Sequence, residues 1–203
     1  MSESVYHEAL SRGQWLVALL ILQSASGVIL QKYSALIQEH LVVTVFLTML
    51  VGAGGNAGNQ SVIKVIEGLA TGELQPTMNT FLKVFYHQGC VGFVLAVVLS
   101  TFGAVRVYAT GVNGERRMDD IISVTLALFC IVLTSCFMGA SLPFFLAWLG
   151  LDPENAGTTI QVLMDIIGVM ITCTICQLVL KGQSAKNAEG VADAPALDNS
   201  TLL

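Results

Sequence analysis

The sequence predicts an all-α integral membrane protein, a bundle of five transmembrane helices. Three observations carry that expectation. Of 203 residues, 54% are hydrophobic and only 11% are charged, whereas a soluble domain is usually about 25% charged. The apolar residues gather in five long segments. The connections between these segments are short, and all but the first, Gln31 to His40, carry Gly.

A helix needs about 20 mostly apolar residues to cross the hydrocarbon core. The first segment runs from Trp15 to about Leu36, interrupted by Gln23, Ser24, Ser26 and Gly27, a polar and small stretch suited to helix contact. The second begins near Leu41, but its apolar part ends at Val51. It spans only by including Gly52-Ala-Gly-Gly-Asn-Ala-Gly-Asn-Gln60 and continuing towards Ile66. The third runs from about Phe81 to Val107, the fourth from about Ile121 to Trp148, and the fifth from about Thr158 to Leu180. The expected organisation is a short N-terminal segment over 1–14, a transmembrane domain over 15–181 and a mobile polar tail over 182–203. No soluble domain and no internal repeat is expected.

Composition excludes several classes. No basic stretch resembles a nucleic-acid footprint, so nucleic acid is not an expected partner. No nucleophile–base pair or cofactor motif points to an enzyme, and no organic cofactor is expected. The residues before Trp15 are polar and of mixed charge, unlike a cleavable signal peptide, so the first apolar stretch is expected to be retained. The five cysteines, Cys90, Cys130, Cys136, Cys173 and Cys176, lie in or beside apolar segments and read as small buried residues. Cys173-Thr-Ile-Cys176 has redox or metal spacing, but no charged residue or His accompanies it. With the N-terminus in the cytoplasm, that side carries Arg12, Lys64 and Lys83. The other carries Lys32, Arg106, Arg116, Arg117, Lys181 and Lys186. The positive-inside rule therefore favours the N-terminus outside.

Function in a membrane protein is best sought where a polar group costs most. Asp165 is the acid of an otherwise uncharged stretch from Asn155 to Leu180. An Asp near the centre of a spanning helix costs about 2.5–3.5 kcal/mol on insertion scales. Gln161, Asp165, Gly168, Thr172 and Cys176 follow i, i+4, i+7, i+11, i+15, one stripe of a helix. Such a stripe marks either a water-filled ion path or a hydrogen-bonded contact with a neighbouring helix. The second place is Gly52 to Gln60. Its four glycines, Gly52, Gly54, Gly55 and Gly58, each cost a helix about 1 kcal/mol relative to Ala. They let another backbone come close, or let carbonyls and water reach the helix axis. On a continuous helix Gly52, Gly55, Asn56 and Asn59 share a face, and Gln60 adds a further amide. The alternatives are a tight packing motif and the lining of an ion path.

Neutral oxygens with one carboxylate suit a hard cation. Mg²⁺ keeps several waters and is usually held by one or two carboxylates. One Asp per chain, doubled across a two-fold axis, suits a hydrated Mg²⁺; Na⁺ or a proton can also use one buried Asp.

These residues resemble the membrane domain of the MgtE family of magnesium channels and transporters, and of the related solute carriers whose chains hold two such domains. The markers are Gly54-Gly-Asn-Ala-Gly-Asn-Gln60, Gly150-Leu-Asp-Pro153, and Asp165 with Gly168. The likeness covers about Trp15 to Leu180. It implies a five-helix fold with a pore at the interface of two domains. It assigns the metal site to Asp165 and pore-lining roles to Gly55, Asn56 and Gln60; residue logic adds Gly52, Asn59, Gln161, Gly168 and Thr172. The family usually has a Pro and paired Thr shortly before the Asp. Here Thr158-Thr159 stand further upstream, and no Pro lies between Pro153 and Asp165. Bacterial members carry large cytosolic magnesium-sensing domains ahead of the first helix; the segment before Trp15 is too short for one, so that gate is expected to be absent. The family places the N-terminus in the cytoplasm, opposite to the charge count.

The expected function is transport of divalent cations, above all Mg²⁺, across a lipid membrane by a homodimer. The alternatives are an exchanger coupled to Na⁺ or H⁺, and a non-conducting subunit that needs a partner chain.

Overall fold

A computed structural model of the chain describes residues 5–110 and 118–192, without the side chains of residues 8, 11 and 180–192. The connection residues Gly111, Gly114, Arg116 and Arg117 lie outside the described residues. The elements are α1 (Val5–Lys32), α2 (Ser34–Glu39), α3 (Leu41–Ala70), α4 (Met78–Thr110), α5 (Met118–Trp148), a 3-10 turn (Pro153–Asn155) and α6 (Ala156–Ala192). Among the described residues five helices are long and apolar enough to cross a membrane. At 1.5 Å per residue, the 30 residues of α3 span more than the roughly 30 Å of a hydrocarbon core.

The helices overrun the apolar segments. α1 starts at Val5 rather than near Trp15, because Arg12 and Gln14 are good helix formers. It ends at Lys32, and Leu36, expected to close the first span, lies in the separate short helix α2. The tail expected to be mobile from residue 182 has helical backbone as far as Ala192; residues 193–203 lie outside the described residues.

α3 is continuous through the glycine run, and its neighbours explain why. A Cβ on Gly54 would lie 2.5 Å from Ile131 Cγ2 of α5. One on Gly58 would lie 2.7 Å from Ile160 Cγ1 of α6 and would also strike Ser135 Oγ. A Cβ on Gly139 of α5 would strike the carbonyl oxygen of Gly58. Ser135 Oγ donates to the carbonyl of Gly54. The glycines therefore let the backbones of α3 and α5 approach closely, and the hydroxyl cements the crossing.

These contacts set the architecture. α3, α5 and α6 form the core, α4 packs on α5, and α1 packs on α6. Gly54 and Gly58 meet α6 at Met164 and Ile160 in reverse order, so α3 and α6 run antiparallel. Gly89 and Gly92 of α4 receive Phe137 and Cys136 of α5, and Gly103 receives Leu128. Trp148 Nε1 donates to the carbonyl of Pro76 at 2.9 Å and its ring sits 5.5 Å from Phe81. The end of α5 is thereby tied to the α3–α4 connection.

The start of α6 is set by the chain before it. Gly150 has φ +71°. Its N–H reaches Ala147 O and the N–H of Leu151 reaches Leu146 O, at 3.1 and 2.9 Å. This is a Schellman closure, and it needs a residue at ease with positive φ. Asp152 then accepts from the Glu154 N–H at 2.9 Å and opens the turn into α6.

Candidate ion site

Asp165 lies within α6, half-buried, on the side of that helix facing α1 and α3. Gln23 Nε2 of α1 donates to its Oδ2. Gln161, one turn earlier on α6, also faces the carboxylate. Around them is an open cavity of about 350 Å³. Its polar and small lining is Gln23, Ser26, Thr48, Gly52, Gln161 and Asp165; Leu47, Val51 and Val169 make the apolar part. Three helices therefore contribute polar groups to one hollow, at the middle of the apolar spans. Nothing stands within 4 Å of a Cβ built on Gly52, so this glycine opens on the hollow instead of packing.

The other residues singled out from the sequence fall in two groups. Gly55 is buried, and a Cβ there would strike the Gln161 amide. Asn59 is half-buried, its Oδ1 3.3 Å from a Cβ built on Gly157 of α6. Asn56 and Gln60 are exposed on the surface of the chain. With Gly52 they follow i, i+4, i+8, so a polar stripe runs from the hollow along α3. The second group points elsewhere. Gly168 is buried, with a Cβ position 3.3 Å from Val51 Cγ2. Thr172 is fully buried and donates to the Gly168 carbonyl at 2.7 Å. The stripe expected along α6 thus divides: Gln161 and Asp165 face the hollow, while Gly168, Thr172 and Cys176 pack inside the chain.

Cys173 and Cys176 are buried free thiols. Among the described residues no group of three or more His, Cys, Asp or Glu is placed to hold a metal. A single carboxylate with neutral amides and hydroxyls suits a cation that keeps part of its water, rather than one stripped and caged by protein. Gln23, Ser26 and Thr48 were not singled out as site residues from the sequence. Gln23 and Ser26 had a signal, as members of the polar stretch suited to helix contact, but nothing local named Asp165 as what that stretch meets.

The family model described as a divalent cation transporter, MgtE, matches residues 47–175. The chain belongs to the MgtE family. It is 32% identical over 184 residues to a protein named magnesium transporter MgtE from Thermus thermophilus, covering 87% of this chain and 39% of that one. Its likeness to the Enterococcus faecalis protein of the same name is 25% over 182 residues, with 89% and 39% covered. For the Bacillus subtilis one it is 26% over 167 residues, with 82% and 36% covered. The chain thus spans about two fifths of the length of these relatives. As an MgtE-family chain with five spanning helices it is a multi-pass integral membrane protein. The match contains Asp165, Gln161 and the whole glycine–amide run of α3; Gln23 lies ahead of it.

Proposed function

We propose that this chain carries divalent cations, above all Mg²⁺, across the membrane, with Asp165 as the ion site. The observation that supports this most is the half-buried carboxylate opening into a hollow between spanning helices that amides and hydroxyls share. An ionised group at this depth is costly, and an arriving cation offsets that cost directly. The hollow supplies what a partly hydrated Mg²⁺ needs: one carboxylate, amide and hydroxyl oxygens for its water shell, and a glycine that leaves room for the shell. Its relatives are named magnesium transporters.

The path continues along Gly52, Asn56 and Gln60 of α3 and past Gln161 of α6, with Asn59 and Gly55 behind them. Gly168 and Thr172 fix the spacing of α6 against α3 from inside the chain. Polar groups exposed on a spanning helix are tolerated only against protein or water. The stripe is therefore covered by a second copy, and the path runs between two copies that each bring one Asp165.

The test is Mg²⁺ flux into liposomes containing the purified chain. Wild-type chain raises flux above empty liposomes; Asp165→Asn and Asp165→Ala, inserted to the same level, return it to background. Wild-type flux from either variant removes Asp165 from the ion site. No flux from the wild-type chain, with the fold intact, overturns the transport reading for the chain alone.

A further inference from the structure

The first helix carries one polar side chain that reaches another element at the hollow. Ser24 and Ser26 turn their hydroxyls back on their own helix, to Ile21 O at 2.6 Å and Gln23 O at 2.8 Å. Gln23 reaches across to Asp165 Oδ2, a residue 142 positions away. The apolar packing of α1 is light: among the described residues Leu19 is its one buried apolar residue, with Trp15, Ile29 and Leu30 partly buried against the core. A half-buried amide in an apolar helix, spent on the one acid of the hollow, is not accounted for by packing.

We infer that Gln23 is a positioning residue for the Asp165 carboxylate, which makes α1 part of the ion site; the inference rests on reading Asp165 as that site. An ionised carboxylate only accepts hydrogen bonds, through two oxygens. The Gln23 amide holds Oδ2 from α1 while Gln161 faces the same carboxylate from α6, so the plane of the group is fixed from two helices. The two oxygens together offer about four acceptor sites, which leaves capacity for the water shell of an arriving cation. The amide is neutral. A Lys or Arg at this position would satisfy the same oxygen but cancel the charge that attracts the ion. The amide orients the carboxylate and leaves its charge available. Gln23 and Ser26 both line the hollow opposite Thr48 and Gly52, so the bond stands at the hollow and not behind it.

Two substitutions at Gln23 have opposite expected effects, which a purely structural role does not produce. Gln23→Leu keeps the size and helix preference but removes the donor. The Mg²⁺ concentration for half-maximal flux rises about tenfold, on the scale of one hydrogen bond to a charged group, with the maximal flux retained. Gln23→Glu is isosteric and puts a second carboxylate beside the first. Half-saturation falls several-fold and maximal flux falls with it, because an ion held more tightly leaves more slowly. The measurement is Mg²⁺ flux against concentration in liposomes, with insertion level matched and Asp165→Asn alongside. If both Gln23 variants leave half-saturation unchanged, or shift it the same way, while Asp165→Asn abolishes flux, the role of Gln23 is overturned and the ion site stands. If Asp165→Asn conducts normally, the ion-site reading falls and takes this inference with it. Should Gln23→Leu fail to insert, Gln23→Met, which also lacks the donor, is read in its place: half-saturation rises if the amide positions the carboxylate, and an unchanged value overturns that role.

Discussion

Glycines of one run in α3 have opposite surroundings. Gly58 sits under Ser135 and Ile160, and its carbonyl touches Gly139. Gly52 has no neighbour within 4 Å of a Cβ position. The same substitution therefore has opposite expected effects on stability. Gly58→Ala forces α3 and α5 apart and destabilises the fold by about 1–3 kcal/mol, the usual cost of overpacking. Gly52→Ala removes a helix-weakening residue without a clash and is neutral or stabilising by up to about 1 kcal/mol. Thermal unfolding in detergent measures both. Reconstituted into liposomes, Gly52→Ala lowers Mg²⁺ flux, because its methyl enters the hollow. Unchanged flux would take Gly52 off the path. The sequence left the run open between packing and path, and the answer is divided: Gly54 and Gly58 pack, Gly52 opens. Periodicity did not reveal this, because the split depends on which neighbour each face meets. Asp165 was legible because one acid in an apolar span has few explanations. Its partner Gln23 was not, because a bond between residues 142 positions apart leaves no local pattern.

The spanning helices were legible as elements, and their ends were not. Hydropathy changes where the membrane ends, whereas a helix continues while its residues favour it, so α1 and α6 overrun their apolar stretches. The break at Tyr33 between α1 and α2 has no Gly or Pro to mark it. The link from α5 to α6 was more readable. Gly150-Leu-Asp-Pro153 was singled out as a marker, and each member has a physical task there, that of Leu151 being carried by its backbone N–H to Leu146 O. Gly150 takes the positive φ that closes α5, Asp152 caps the turn, and Pro153 stands at its start. This link sets where α6 begins, and hence the depth of Asp165. Gly150→Ala places a Cβ in a left-handed conformation and costs about 1–2 kcal/mol. The expected result is a lower unfolding temperature. A stability equal to wild type would mean that another connection sets the start of α6. Trp148→Phe tests the same end of the bundle. It keeps the aromatic contact with Phe81 and loses the hydrogen bond to Pro76, with an expected cost of about 1 kcal/mol.

At the scale of the molecule, the chain leaves the wrong surface exposed for a monomer in lipid. Asn56 and Gln60 lie on an outer face of α3, and Gln161 is exposed on α6 beside them. Lipid tails cannot satisfy their amides. The outer face of α4 has the composition that lipid accepts: Phe93, Val94, Val98, Phe102 and Val105 are exposed there. In the proposed dimer the amide-bearing face is the side that meets the second copy, and that side also holds the hollow with Asp165. The proposed pore between two copies uses this asymmetry: each copy would bring one carboxylate and half of a polar lining. Cysteine cross-linking in membranes measures it directly. In a chain whose five native cysteines are replaced by Ala, Gln60→Cys and Asn56→Cys are expected to give oxidised dimers, and Phe102→Cys is not. Dimers through Phe102→Cys, with none through the α3 positions, would place the second copy on α4. The amide stripe would then need another cover, and the path between two α3–α6 faces would be lost.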